Sequence, residues 1–431
     1  MSRTHRTSVL GSTALALALV ATGCGSSGPG TSEDTLQVWA LEEAAVNDVL
    51  EASMESYNEG SELESELVTF VNDAYKQRLQ VALGSPNAPD VFFNWGGGNL
   101  AEYVNQGQVF NMTTALDENP DFRDSFLPSV LDVAKIEDGY YGVPMLGMQP
   151  VVLFTNNAVL AESGLEAPET YDDLLHAVDV LQEDGVTPIV LPGAQGWTQL
   201  MWLSYLTERI GGPEVFQAVV DGEPGAWEHP AMIEAMEKCQ ELVEAGAFGP
   251  NFASIDYDGG GASALLANGD AAMFLMGSWD LSQQQENAPD FVDSGDLGYV
   301  PFPMVEGGEG EEGAVVGNPS NYFSINNDSV NHDAAVDFLV ETVTSDEYVS
   351  GLIDAGQVPA VEGIEDQLAE SQYSDFAVFT HGMVSDAPSF TQSWDQAIPP
   401  AAADALLTNL QLLFLGETTP EDFAADMESY L

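Results

Sequence analysis

Four tryptophans stand in turns rather than in apolar runs: Trp95 in "FNWGGG", Trp197 in "GAQGWTQ", Trp279 in "MGSWDL" and Trp394 in "TQSWDQ". Each offers a broad flat face and one N–H donor. Three have an acid or amide beside them in the chain: Asn94 precedes Trp95, Asp280 follows Trp279 and Asp395 follows Trp394. A flat apolar face beside an acid or amide can hold a molecule with an apolar face and a polar rim. The glycines after Trp95 let the backbone bend and let another group come close. Each such tryptophan could instead be buried between sheet and helix. Asp280 and Asp395 could equally cap helices, since aspartate favours helix starts. Trp202 lies inside an apolar helical run and reads as core, while Trp227 follows a Gly/Pro turn and could be either.

Other chemistry is weakly supported. His5, His176, His229, His332 and His381 are scattered, without the paired spacing of a metal site. "DYDGGGAS" (256–263) hints at a calcium turn but lacks the loop pattern and its closing Glu, so it reads as a plain turn. There is no phosphate loop and no nucleophile elbow, and no cofactor is expected. A glycoside hydrolase needs two carboxylates opposed in space. With 70 acidic residues some pair always exists, so spacing along the chain decides nothing.

Those 70 acids face only 8 basic residues across 431 positions, a net charge of −62. Such a surface repels nucleic acid and anionic ligands. The acids are spread along the whole chain, as in an extracellular surface adapted to salt; the rival reading is a cation-binding function. Apolar residues make up 45%, enough for large cores, and the length points to two lobes or domains.

The N-terminus reads as a leader. A basic "MSRTHR" precedes the apolar "VLGSTALALALV" and then "ATGC". The cluster closing on Cys24 resembles a bacterial lipobox, with Ala21 where the pattern prefers Leu; ordinary cleavage near Cys24 with release is the alternative. Residues 1–23 would be removed, Cys24 lipidated, and 24–34 ("GSSGPGTSED" after the cysteine) would be a flexible tether. The second cysteine, Cys239, lies in the helix-periodic "AMIEAMEKCQELVEAG" and reads as a buried hydrophobe.

The elements that must position the tryptophans follow from periodicity. "TLQVWA" (35–40) alternates as a strand, a helix follows over 43–58, and "LESELVTF" is a second strand. "DAYKQRLQVALGS" is a helix and "PDVFFN" a third strand. This order implies a parallel sheet, whose ligands sit beyond the carboxyl ends of the strands. "NWGGG" lies at such an end. "YYGVPMLGMQPVVLFTN" (140–156) reads as a crossover between lobes. The next helix has Thr170 and Asp173 as its cap, apolar residues at 174, 178 and 181, and Gly185 as its stop. "NGDAAMFLMGSWDL" is a strand opening into a Gly–Trp turn, and helices dominate from 329 onward, interrupted at "AGQVPA".

The order of these segments resembles the carbohydrate class of extracellular solute-binding proteins that feed ABC importers. The resemblance rests on "LQVWA", "APDVFFNWGGGNLAEYVNQGQV", "GYYGVPM…VVLFTN", "GLEAPETYDDL", "NGDAAMFLMGSW", "VPFP", "AVDFLVETVTSDE", "GQVPA" and "SWDQAIPPAAADAL", spread over nearly the whole chain after the leader. "NWGGGNLAEYV" with "SWDQAIPP" is most similar to actinobacterial binders of xylo- or cello-oligosaccharides.

The resemblance implies an α/β, two-lobed periplasmic-binding-protein fold of class II (a Venus flytrap), with the ligand in the cleft between lobes. Lobe 1 would take 35–147 and 304–356, lobe 2 would take 148–303 and 357–431, with hinges at "GVPML", "VPFPM" and "AGQVPA". The implied ligand is a neutral oligosaccharide, bound by closure without chemistry. The implied partners are permease subunits and, through Cys24, the outer face of the cell membrane; the protein itself would be a monomer. Trp279 and Trp394 are the leading stacking residues, followed by Trp197 and Trp95. Asp280, Asp395, Asn94, Glu42, Asn318 and Asn321 are the candidate hydroxyl partners. Carboxylates suit such sites because an ionised acid accepts strongly from hydroxyls. The competing ligand is a cationic solute such as a polyamine.

Overall fold

The computed structural model describes residues 34–431. The leader, Cys24 and all of the tether except Asp34 lie outside the described residues. Among the described residues no helix is long and apolar enough to cross a membrane.

In chain order the strands are β1 (Thr35–Leu41), β2 (Glu64–Phe70), β3 (Val91–Asn94), the hairpin of β4 (Lys135–Ile136) and β5 (Gly139–Tyr140), β6 (Val143–Pro144), β7 (Gln149–Asn156), β8 (Thr187–Val190), β9 (Ala271–Gly277), β10 (Leu297–Val300), β11 (Val315–Asn318), β12 (Tyr322–Ile325) and β13 (Phe390–Gln392). They form two principal sheets. The first has the order β2-β1-β3-β12-β6, and the second β13-β11-β7-β9-β8 with β10 also paired to β7. β1 runs parallel to β2 and β3, as the strand–helix alternation predicts, while β12 returns antiparallel to β3. Each sheet carries its own apolar core, which makes the two lobes.

Local signals are realised where the physics is local. Thr170 Oγ1 accepts from the Asp173 amide at 3.1 Å, and Asp173 accepts from the Thr170 amide at 3.1 Å. This reciprocal cap satisfies two backbone donors that the helix end leaves over. The helix Tyr171–Asp184 buries Leu174, Val178 and Leu181 and stops at Gly185 with φ 78°. Cys239 is fully buried in the second core, and burial pushes its thiol pKa up.

The lobe boundaries depart from the sequence expectation at two of three crossings. At the first crossing Met145, Leu146 and Met148 pack in the first core, and β7 begins the second sheet at Gln149. The second crossing is not at 304. Phe302 stacks on Tyr205 at 4.6 Å in the second core, and β11 still pairs with β7, so the chain crosses between Asn318 and Tyr322. The prolines of "VPFPM" follow the end of β10 at Val300 and do not carry the chain across. The third crossing lies beyond 357. Val358, Ala360, Ile364 and Leu368 belong to the first core; the helix Ser374–Ser385 then straddles the boundary, with Phe376 in the second core and Ala377 in the first. "AGQVPA" nevertheless runs through the hinge. A Cβ on Gly147 would stand 2.1 Å from the Val358 carbonyl oxygen, so the two segments touch backbone to backbone. β13 lies in a stretch that reads as helical. It has three residues, too few for a period to register.

Candidate functional site

The loops at the strand ends of both lobes enclose a cleft of about 1120 Å³, open solvent at its mouth included. The first lobe contributes Glu42 and Glu43 after β1, Asn72 and Lys76 from the helix Asn72–Ala82, and Trp95 after β3. The second contributes Gln149, Trp197, Tyr257, Asp258, Trp279, Asn318, Asp395 and Gln396; Asn321, on the crossing between the lobes, completes the lining.

Three aromatic rings of the second lobe form one wall. Trp197 and Trp279 lie 6.3 Å apart, tilted by 49°, and Tyr257 stands edge-on to Trp197 at 5.3 Å. Glycine places Trp279: a Cβ on Gly277 would sit 1.9 Å from the indole Cζ3, so the ring lies on bare backbone. Trp197 opens the helix Gly196–Gly211, and its indole N–H has no hydrogen-bond partner. The buried Tyr257 hydroxyl lies beside Trp279 and Asp280; burial, then the nearby Asp280 and Glu43 carboxylates, raises its pKa well above the usual phenol value. Unpaired buried polar groups are costly, and a ligand can satisfy those that face a cleft.

Trp95 lines the opposite side. Its ring packs edge-on to Phe93 at 5.0 Å and to Tyr75 at 6.1 Å, with Lys76 Nζ 4.9 Å from its centroid. The second and third of the glycines after it touch the other lobe, while Gly96 meets Val133 and Tyr322 of its own. A Cβ on Gly97 would stand 2.5 Å from Gln392 Oε1, and one on Gly98 2.5 Å from the Ala397 carbonyl oxygen. Gln392 Nε2 donates to the Trp95 carbonyl at 2.8 Å, and Lys76 pairs with Asp395 at 3.3 Å. "WGGG" is therefore an interlobe contact at the cleft edge, with glycines where a side chain would hold the lobes apart.

The structure sorts the predicted residues. Trp95, Trp197, Trp279, Glu42, Asn318, Asn321 and Asp395 line the cleft, Glu42 at its exposed rim. Trp394, Asp280 and Asn94 do not. Trp394 is 1% exposed and stacks on Phe216 at 4.3 Å in the second core. Asp280 points inward, accepting from Ser263 Oγ at 2.6 Å and Gln284 Nε2 at 2.9 Å, and burial pushes its pKa up to about 6. Asn94 joins β3 to β12 through Ser324 Oγ at 2.8 Å and accepts from the Gly96 amide at 2.9 Å. In each case sequence adjacency to a turn placed the residue beside the site, and the side chain took the inward direction.

Lys76, Glu43, Gln149, Tyr257 and Asp258 were not singled out from sequence. Tyr257 sits in the "DYDGGGAS" turn, where an aromatic between two acids was the available signal. Gln149, a polar residue opening a strand with an apolar centre, was another. Glu43 is half-buried, and burial pushes its carboxyl up to about 7. Asp258 is pushed up to about 6, by burial first and then by Asp73 and Asp256, with Lys76 opposing. Among the described residues no group of three or more His, Cys, Asp or Glu is arranged to hold a metal ion.

A family model described as bacterial extracellular solute-binding protein matches residues 42–349. The chain is 27% identical over 320 residues to an uncharacterized ABC transporter extracellular-binding protein of Pyrococcus horikoshii, an alignment covering 70% of each. It is 26% identical over 270 residues to a xylose/arabinose-binding protein of Haloferax volcanii, covering 62% of this chain and 56% of that one. Among solved structures, one from work on xylan utilization by Caldanaerobius polysaccharolyticus superposes with a TM-score of 0.82 at 25% identity, covering 92% of this chain and 99% of that one. A chitin oligosaccharide binding protein gives 0.81 at 21% identity, covering 92% and 97%, and so supports the fold alone.

Proposed function

The chain belongs to the bacterial extracellular solute-binding protein family, and from that premise we propose that it captures a neutral oligosaccharide for an ABC importer. The ligand class we favour is xylo- or cello-oligosaccharide. The observation that carries this reading is the pairing of the Trp197–Trp279–Tyr257 wall with the uncharged amides of Gln149, Asn318 and Asn321 in one interlobe cleft. Sugar rings expose C–H faces that pack on aromatics, and their hydroxyls need donors and acceptors at the rim. Among the described residues Lys76 is the one cation lining the cleft, and it already has Asp395 as its partner.

Binding would draw the lobes together, since a ligand held by one lobe offers contacts to the other. The closed form would then deliver its ligand to membrane permease subunits. Attachment through Cys24 on the outer face of the cell membrane, a monomeric state and the absence of any reaction on the sugar are parts of the same proposal. The second reading, a cationic solute such as a polyamine, draws on Glu42, Glu43, Asp258 and Glu286 along the cleft.

The test is tryptophan fluorescence and thermal shift on the purified protein at moderate and high salt, with xylobiose, xylotriose, cellobiose, cellotriose, maltose, monosaccharides and spermidine. A response to one oligosaccharide that salt leaves unchanged, with the sugar recovered intact, is the expected result. A salt-sensitive response to spermidine alone overturns it, because screening weakens charge-driven binding and spares neutral contacts.

A further inference from the structure

Two of the three chain segments that cross between the lobes are zipped together beside the cleft. The Met145 amide donates to the Asn321 carbonyl at 2.8 Å, and Ser320 Oγ donates to the Leu146 carbonyl at 2.9 Å. Three residues beyond Leu146, side chains of the two segments join as well. Gln149 Oε1 accepts from Asn321 Nδ2 at 2.8 Å and lies 3.5 Å from Asn318 Nδ2. The three amides are 2%, 2% and 5% exposed for Gln149, Asn321 and Asn318, and all three line the cleft.

Both asparagines leave one amide atom, Oδ1, buried and without a partner. Turning either amide would exchange donor for acceptor and still leave one of its atoms unpaired. A folded protein rarely keeps two such atoms in one place, because each costs a lost hydrogen bond. Both belong to the cleft lining, so a ligand in the cleft can complete them. Gly317 and Val151 of β7 line the same cleft.

We propose that Gln149, Asn318 and Asn321 form an uncharged subsite at the hinge end of the cleft, which reads the hydroxyls of one sugar unit and transmits its occupancy to the hinge through the Gln149–Asn321 bond. This rests on the oligosaccharide reading and deepens it by assigning recognition and closure to the same three side chains. Gln149 is the positioning residue. Its carbonyl orients both asparagines, so that their free oxygens face the ligand, and it lies on the crossing segment that must rotate.

The experiment is calorimetric titration of the purified protein with xylotriose and cellotriose, together with the radius of gyration of the free and saturated protein by solution scattering. Asn318→Ala and Asn321→Ala should each weaken binding of the preferred trisaccharide roughly 5- to 150-fold, the range set by losing one buried hydrogen bond to an otherwise unpaired group. Gln149→Met removes the shared acceptor at similar size, whereas Gln149→Glu keeps it. The Met variant, once saturated, should contract less than the wild type, and the Glu variant should restore contraction. A purely structural role for Gln149 would lower melting temperature without changing contraction at saturation, and that result overturns the proposal. Wild-type binding of a trisaccharide with unchanged affinity in both asparagine variants overturns the subsite alone. Binding of neither trisaccharide by the wild type removes the oligosaccharide reading, and the subsite with it.

Discussion

Replacing Gly98 by alanine tests whether the cleft closes on bare backbone. Gly98 is the second residue of the helix Gly97–Asn105, and its φ is not in the left-handed region, so alanine strains no torsion there. Inside a helix alanine is favoured over glycine by about 1 kcal/mol, which by itself would stabilise the first lobe. The added methyl, however, would stand 2.5 Å from the Ala397 carbonyl oxygen and 2.8 Å from the Ile398 carbonyl carbon, both on the other lobe. That is about an ångström inside ordinary van der Waals contact, against backbone that cannot swing aside like a side chain. Overpacking of this kind costs about 1–3 kcal/mol. Rotating the lobes apart relieves it, so the cost falls on the closed form. Ligand affinity should drop roughly 5- to 150-fold, since each 1.4 kcal/mol is tenfold. The radius of gyration of the ligand-saturated protein should rise, and the melting temperature should not fall in proportion. Gly97→Ala is a poorer probe, because φ 60° at that position adds backbone strain to the clash. Unchanged affinity and an unchanged radius of gyration for Gly98→Ala would refute the assignment of "WGGG" as an interlobe contact.

Trp197→Ala and Trp279→Ala should each weaken oligosaccharide binding by about 2 kcal/mol or more, near 30-fold, measured by calorimetry. Trp394→Ala should instead lower stability by about 3–5 kcal/mol in denaturant titration, leaving affinity intact in the folded fraction. Loss of binding with full stability would return Trp394 to the site. Stability should also respond to pH through Glu43, Asp258 and Asp280, whose folded pKa values of about 7, 6 and 6 lie above the usual carboxylate range. Between those two ranges the folded chain holds protons that the unfolded chain has lost, so stability falls as pH rises toward 7. Melting temperature should therefore decline from pH 5 to pH 7.5, and Glu43→Gln should flatten the upper part of that decline; an unchanged slope in the variant counts against a buried Glu43. Lys76→Met should cost only a few-fold in affinity and more at low salt, because Lys76 is 32% exposed and its bond to Asp395 is partly screened. A loss beyond 100-fold would place Lys76 on the ligand itself.

The first sheet was legible because its signals are short-range. The alternation of "TLQVWA" and the helix between it and "LESELVTF" imply parallel pairing, and the Thr170–Asp173 cap depends on four consecutive residues. The second crossing was not legible. Pro301 and Pro303 mark a bend, but only the stacking of Phe302 on Tyr205 shows which lobe keeps the segment. In the site, Trp279 was legible through Gly277, whose missing side chain makes room for its indole. Trp394 carries the same local look, yet it turns into a cage of Phe216 and Trp227 supplied from far along the chain. Asp280 shows the same limit: Ser263 and Gln284 decide its direction, and neither is marked by pattern.

The place of β12 in the first sheet has a consequence for how the chain is made. β12 lies between β3 and β6, antiparallel to both, and is separated from β6 by the whole run of strands from β7 to β11. A growing chain that has produced β1, β2, β3 and β6 still lacks the strand that joins the last two. The first lobe therefore cannot finish folding before the second lobe's main strands exist. Pairings so distant in sequence are slow, because closing the loop costs entropy before any contact offsets it. Until β12 arrives, the open edge of β3 is an unprotected template for other strands. A chain destined for export gains from that delay, since it stays unfolded long enough to be threaded outward.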